Sequence, residues 1–285
     1  MNNVLVVANY NAGRKQAVFH KKKLHKYLMK KCKKFKFVTI DEIDDINSDE
    51  FDTIIAVGGD GTVNKVVSQL VDNTKDLIII PCGTANLLAA KLGMSMNFDK
   101  TLKIIDKKNI KKIDIIKIND LPCILRCGFG YDADIICKTP QILKNFLGYF
   151  AYFLAGIFFA LHLKPKQYEI KADEKDLTVS ATCIIVANAA NMCKNLISVA
   201  NECQLDDGMF DVFILKAKNI FSFTLEFVKI ITGKHNSDCF AQYFKAKNLT
   251  IKNDWRLCHI DGEETKLKNN ISVKIQKQRI NVYCK

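Results

Sequence analysis

Arginine is nearly absent from this 285-residue chain: Arg14, Arg126, Arg256 and Arg279 are the only four among 43 basic residues. The formal net charge of +13 is therefore a lysine excess, and it reads as compositional bias as much as the footprint of a polyanionic partner. The densest basic stretch, residues 21–36, lacks the row of interleaved stacking aromatics that a nucleic-acid surface carries. An anionic membrane surface is the better partner for it and nucleic acid the poorer one, while a solvated helix face explains the same lysines. Proline (4) and glycine (13) are also few, and 48% of residues are hydrophobic, which excludes a disordered or collagen-like chain. The eleven cysteines are odd in number and show no Cys-x-x-Cys or Cys/His spacing. A disulfide framework and a zinc site are thus unsupported, and reduced thiols in a cytoplasm are expected. No secretory signal is read at the start, where Val4-Leu5-Val6-Val7 is already strand-like.

Charge is missing altogether from residues 146–163, FLGYFAYFLAGIFFALHL. A membrane span needs about 20 apolar residues, ~17 at the least, and Gly148, Tyr149, Tyr152, Gly156 and His162 dilute this run. The expectation is a buried or lipid-facing helix and no transmembrane span.

What is present is a regular alternation. Residues 4–9, 35–40, 53–57, 77–81 and 113–118 are strand-like, and residues 14–31, 62–71, 85–92 and 98–105 are helix-like. This predicts an α/β N-terminal domain over residues 1–119, doubly wound around a mainly parallel sheet. Residues 120–285 turn strand-rich, with helices expected only at 141–163 and 220–231, and predict a β-rich C-terminal domain, an antiparallel sandwich or barrel with an apolar helix. The last strand, 271–284, is long enough to return to the first domain. At this length each domain can bury its own core, and the cleft between them is the default site.

Three loops fall at the carboxyl ends of the parallel strands, where ligands of such sheets bind. Gly58-Gly59-Asp60-Gly61-Thr62 follows the apolar run 53–57 and precedes a helix-like segment. Glycines admit phosphate oxygens close to backbone amides, and the helix start adds a positive dipole end. A carboxylate there would repel phosphate unless a cation or a proton to be abstracted lies between, which points to phosphoryl transfer. A plain tight turn is the alternative. The other two loops are Asn9-Tyr10-Asn11-Ala12-Gly13 and Pro81-Cys82-Gly83-Thr84-Ala85-Asn86.

With these loops the chain resembles the diacylglycerol kinase catalytic family, in particular its bacterial soluble lipid kinases related to sphingosine and ceramide kinases. Gly58 to Thr62 with Asn64 resembles the family hallmark. Residues 9–13 resemble its Asn-Pro-x-Ser/Ala-Gly loop, with Tyr10 in place of proline, and residues 81–86 its Pro-x-Gly-Thr-x-Asn loop. Further matches are Gly128-Phe129-Gly130-Tyr131-Asp132-Ala133, the helix beginning at Leu147-Gly148-Tyr149, Asp206-Asp207-Gly208-Met209-Phe210-Asp211, and Asp261-Gly262-Glu263. Leu87 stands where many members carry Asp.

The resemblance implies an ATP-dependent kinase that transfers the γ-phosphoryl group to the hydroxyl of diacylglycerol or a similar long-chain lipid alcohol. It implies a cytoplasmic protein peripheral on the inner membrane surface, with a second copy of the chain as a further candidate partner. The implied nucleotide-binding set is Asn9, Asn11, Ala12, Gly13, Thr39, Gly58, Gly59, Gly61, Thr62, Gly83, Thr84 and Asn86, with Lys15 as an added positive charge and Mg²⁺ entering with ATP near Asp60. Glu263 is the first candidate base, with Asp261 and Asp60 as competitors; a solvated acidic turn explains 261–263 equally well without the resemblance. Asp207 with the carbonyls of Gln204 and Met209 is implied as a Mg²⁺ site, and a hairpin turn is the alternative there. Asp132 either steadies the site or is a satisfied loop carboxylate. Two other readings stand beside the lipid kinase: a small-molecule kinase resembling NAD kinase, and a catalytically silent lipid or nucleotide sensor.

Overall fold

The apolar runs of the N-terminal third pair as parallel strands in the order β2-β1-β3-β4. These are β1 (Asn3–Ala8), β2 (Lys34–Thr39), β3 (Thr53–Gly58) and β4 (Asp76–Pro81). All six residues of β3 are buried, as expected for a strand covered on both faces. Strand β2 lies at the edge of this order and exposes Lys34 and Lys36, the charged edge that discourages pairing with another chain. This computed structural model describes residues 2–10, 16–70, 75–140, 155–156, 158–159, 164–189, 191–192, 197–198, 203–217, 219, 221–222, 241–252, 257–267 and 270–285.

Helices α1 (Gln16–Lys31), α2 (Asp60–Leu70), α3 (Leu87–Lys91) and α4 (Phe98–Lys107) connect or follow these strands. Leu24 and Leu28 of α1 and Phe98 and Ile105 of α4 pack with Val4, Val6, Ile55, Val57, Ile78 and Ile80 in one buried cluster. Each such side chain contributes about 1.5–3 kcal/mol through burial. Helix α4 starts at Asn97, whose side chain accepts from the Lys100 N–H at 3.0 Å and satisfies one of the orphan amides of the first turn.

The chain divides into two units: Met1–Ile115 with Lys277–Lys285, and Ile116–Gln276. The division falls four residues before the 119 expected from sequence, because β5 (Ile110–Ile118) has residues in both units. So does β18 (Asn270–Tyr283), which pairs antiparallel through Asn270 to Lys274 and parallel with β4 through Asn281 and Val282.

The second unit holds β6 (Leu121–Cys123), β7 (Arg126–Gly130), α5 (Tyr131–Lys138), β8 (Lys166–Ala172), β9 (Lys175–Ala181) and β10 (Cys183–Ala187). It continues with the short pair β11 (Asn191–Met192) and β12 (Ile197–Ser198), then β13 (Phe210–Leu215), β14 (Ala241–Ala246), β15 (Asn248–Lys252), β16 (Leu257–Ile260) and β17 (Glu263–Lys266). One antiparallel sheet runs β14-β13-β10-β7-β16-β17. A second set pairs β15 with β8, β8 with β9, and β15 with the first half of β18. Phe129, Phe210 and Ile184 from the first set and Tyr168, Ile170 and Ile251 from the second share one buried core, which makes this unit a sandwich. The alternation in β8, with only Tyr168, Ile170 and Ala172 buried, is the sequence signature of that arrangement. The expected helices at 141–163 and 220–231 lie outside the described residues except for 155–156, 158–159 and 221–222, which are helical. Among the described residues no helix is long and apolar enough to cross a membrane.

Candidate active site

The winding of the first unit sets the position of its loops. From β1 the chain moves to β2 on one side, then crosses to β3 on the other, so the carboxyl ends of β1 and β3 open at a topological switch point. There the Asn9 N–H donates to the Val57 carbonyl at 3.0 Å. Asn11, Ala12, Gly13 and Lys15 lie outside the described residues. Tyr10, the substitute for proline, has a contact of its own: the Lys21 ammonium stands 5.1 Å from its ring centroid, within cation–π range.

Strand β3 ends at Gly58 and α2 begins two residues later at Asp60, so the first-turn amides and the positive end of the helix dipole lie at the strand's carboxyl end. The third loop is sewn to this one. Cys82 N–H donates to the Gly58 carbonyl at 2.8 Å, and a Cβ on Gly83 would stand 2.5 Å from the Gly59 Cα. Only glycine permits that approach. Asp60 completes the stitch, its Oδ1 accepting from the Leu88 N–H of α3 at 3.4 Å. Leu87 opens α3.

The remaining nucleotide candidates fall into three groups. Gly61 and Thr84 are exposed and reachable, whereas Thr62 is buried against the Gly58 backbone. Asn86 is buried in the left-handed region at φ 50°. Its amide is committed to the loop itself, accepting from Gly83 N–H at 2.9 Å and donating to the Gly83 carbonyl at 2.6 Å and the Met96 sulfur at 3.3 Å. Asn86 therefore shapes the loop. Thr39 is similarly engaged: its N–H and hydroxyl both donate to Glu42, at 2.7 and 2.9 Å, starting a 3-10 turn. Those bonds, the backbone one first, hold the Glu42 carboxyl below its ordinary range.

In the second unit, Asp261 and Gly262 form the two-residue connection between β16 and β17, with φ 51° and 93°. Positive φ at both positions is the I′ geometry that Asp-Gly favours. Asp261 is not a solvated turn residue, and its place does not suit a base. Its Oδ1 accepts from Leu125 N–H at 2.8 Å and Arg126 N–H at 2.9 Å, and its Oδ2 from Ile124 N–H at 2.8 Å. The Cys123 thiol adds a longer contact at 3.4 Å. Burial raises the carboxyl's pKa, and these hydrogen bonds oppose the rise. Asp261 is the anchor of the 123–126 segment. Glu263, next in line, is exposed, and its carboxylate has no hydrogen bond or ion pair among the described residues.

Behind this turn lies a charged group that sequence reasoning left incomplete. Asp132 is buried and receives Arg126 Nη1 on both oxygens at 3.1 Å, with His259 Nε2 at 2.6 Å from Oδ2. Burial raises the Asp132 pKa, but Arg126 and then His259 outweigh it and hold the carboxyl well below the usual carboxylate range. A Cβ on Gly128 would stand 2.0 Å from the Asp132 Oδ2, so the glycine makes room for the pair. Arg126 and His259 were missed because one sits in a strand-like run and the other, between Cys258 and Ile260, reads as core. A fully buried histidine needs a partner, and that was the available signal.

The implied Mg²⁺ site at 204–209 is arranged differently. Asp207 accepts from its own turn, Met209 N–H at 3.0 Å, and pairs with the Lys245 ammonium at 2.7 Å. Lys245 also lies 3.8 Å from buried Asp211, which holds the Tyr243 hydroxyl at 2.6 Å. The carboxylate charge a divalent ion would use is already neutralised by an ammonium, so in this arrangement the residues do not fit the ion. Among the described residues no cluster of three His, Cys, Asp or Glu forms a metal site.

Comparison with known proteins gives the site its context. Residues 3–118 match the diacylglycerol kinase catalytic domain, and residues 126–284 match the YegS C-terminal NAD kinase beta sandwich-like domain. The chain is 33% identical over 218 residues to the diacylglycerol kinase of Bacillus subtilis (strain 168), covering 75% of this chain and 72% of that one. The chain belongs to the diacylglycerol kinase family. Another family member, a probable YegS-like lipid kinase of Shewanella frigidimarina (strain NCIMB 400), is 30% identical over 226 residues, 76% of this chain and 71% of that protein. A putative diacylglycerol kinase from Bacillus anthracis str. Sterne has the same fold, with a TM-score of 0.84 at 23% identity over 99% of this chain and 95% of that one. The α/β domain with a mainly parallel sheet and the antiparallel β-rich domain expected from the sequence are thus the family's architecture.

Proposed function

We propose that this family member is an ATP-dependent lipid kinase, transferring the γ-phosphoryl group to the hydroxyl of diacylglycerol or a similar long-chain lipid alcohol. The observation that carries the reading is Asp60 at the start of α2, hydrogen-bonded at 3.4 Å to the Leu88 amide of the neighbouring loop. The helix start supplies amides and positive potential for phosphate oxygens. A carboxylate beside such an anion site suits a divalent cation carried with the nucleotide, and bound Mg²⁺ would neutralise phosphate charge there. Asn9 and Gly59 form the backbone wall, and exposed Thr84 offers a hydroxyl. Glu263 suits the role of base by elimination within its own turn: Asp261 is spent on three amides, whereas Glu263 is exposed.

The same reading takes the protein to the membrane surface, where its acceptor resides. The exposed lysines Lys21, Lys22, Lys26 and Lys30 of α1 suit anionic headgroups, each worth about 1 kcal/mol near such a surface. A second reading, NAD as acceptor, is favoured by one observation, the likeness of residues 126–284 to a domain described as NAD kinase-like. The experiment is an Asp60→Ala variant assayed with Mg-ATP and dioleoylglycerol beside wild type. Loss of phosphorylation with an unchanged melting temperature supports the site; full activity in that variant removes it.

A further inference from the structure

We propose that Asp132 and His259, backed by Arg126, are positioning residues that fix the 261–262 turn and so aim Glu263; this rests on the reading of Glu263 as the base. The pair is built for the purpose. His259 has no exposed surface, its Nε2 lies 2.6 Å from the Asp132 carboxylate, and on the opposite side its Nδ1 accepts the Gly262 N–H at 3.3 Å. With Nδ1 accepting from Gly262, Nε2 is the nitrogen that donates to Asp132. Arg126 balances the carboxylate's charge with Nη1 3.1 Å from both oxygens.

The same arginine holds the turn through its backbone. Its N–H donates to Asp261 Oδ1 at 2.9 Å, and its carbonyl accepts the Asp261 N–H at 2.9 Å. Both amides of the turn are therefore tied: Asp261 N–H to Arg126 and Gly262 N–H to His259. Only then does the chain release Glu263 into solvent. A base must be held within about 0.5 Å of its productive place, and a long carboxylate on an unsupported hairpin would not be.

The test uses the full chain, Mg-ATP and dioleoylglycerol in mixed micelles. His259→Phe keeps an aromatic ring and the Asp132 to Arg126 pair, but removes the Gly262 acceptor and the Nε2 contact with Asp132. Expected results are a fall in kcat of about 100-fold, a KM for ATP within about twofold of wild type, and faster hydrogen exchange at the Gly262 amide. His259→Asn returns an acceptor close to the Nδ1 position and recovers most of the kcat and the slow exchange. Because the loss acts through Glu263, adding His259→Phe to Glu263→Gln lowers kcat by less than about threefold more. A multiplicative loss in that double variant, or wild-type kcat in a folded His259→Phe protein, overturns the proposal. Should His259→Phe not fold, His259→Asn decides: slow Gly262 exchange with near wild-type kcat supports it, and fast exchange with wild-type kcat overturns it. Wild-type kcat in Glu263→Gln alone removes the base, and with it what the turn is proposed to aim, while unchanged Gly262 exchange in His259→Phe removes the hold on the turn.

Discussion

In the 58–62 loop the acidic residue heads a helix, stays partly exposed and accepts from an amide of a neighbouring loop; in the 261–263 turn the first acidic residue is sunk among three amides and the second stands in solvent. Both segments are glycine with carboxylate, and both would be read as tight turns from sequence alone. The difference lies in what the glycine is for. At Gly59 and Gly83 it lets two backbones approach, which brings Asp60 to the next loop. At Gly262 it completes a type I′ hairpin whose Asp261 turns inward as a clamp. Acidic residues in two similar turns thus divide into one suited to chemistry and one that holds the scaffold.

The largest expected effect separates those roles. Asp60→Ala should lower lipid phosphorylation on the order of 1,000-fold while leaving the melting temperature in place, measured by initial rates and calorimetry on the same preparation. Asp261→Ala should instead act on stability, orphaning three amides and costing about 3–5 kcal/mol. Urea denaturation reads it, and an Asp261→Ala protein of wild-type stability would dissolve the contrast.

Asp132 offers a pH-resolved version. Its pKa is lower in the folded chain than in the unfolded one, so its stabilisation is complete above the ordinary value of about 3.9 and is lost as pH falls through the lower folded value. Asp132→Asn should therefore destabilise the protein at pH 7, and the gap in urea midpoints should narrow below about pH 4. A gap that stays constant into acid would mean the carboxylate's charge is not what stabilises. The smallest effect is expected at Gly83→Ala, where the added Cβ at 2.5 Å from Gly59 Cα must push two loops apart. It should cost about 1–3 kcal/mol, read as a lower melting temperature, and raise the KM for ATP.

Much of this contrast was legible in the residues. The continuous apolar runs of β1, β3 and β4 announce buried parallel strands, and the loops at their ends follow from that topology. The turn at 261–263 was legible as a turn, but not the inward course of Asp261, because its partners at 124–126 are over 130 positions away and are backbone amides that no side-chain pattern encodes. Helix α5 was missed for a related reason: it starts straight off β7 at Gly130 with no side-chain cap, so its first residues read as an extension of a glycine motif. Strand β17, with the sequence Glu-Glu-Thr-Lys and little burial, carries no alternation to betray it.

The most direct test of the central claim is wild-type protein with radiolabelled ATP, Mg²⁺ and a panel of acceptors: dioleoylglycerol, monoacylglycerol, sphingosine, phosphatidylglycerol, undecaprenol and NAD. Label is predicted in a phosphorylated lipid and absent from the NAD product. Label in the NAD product alone, or in none of the acceptors, would contradict a lipid kinase.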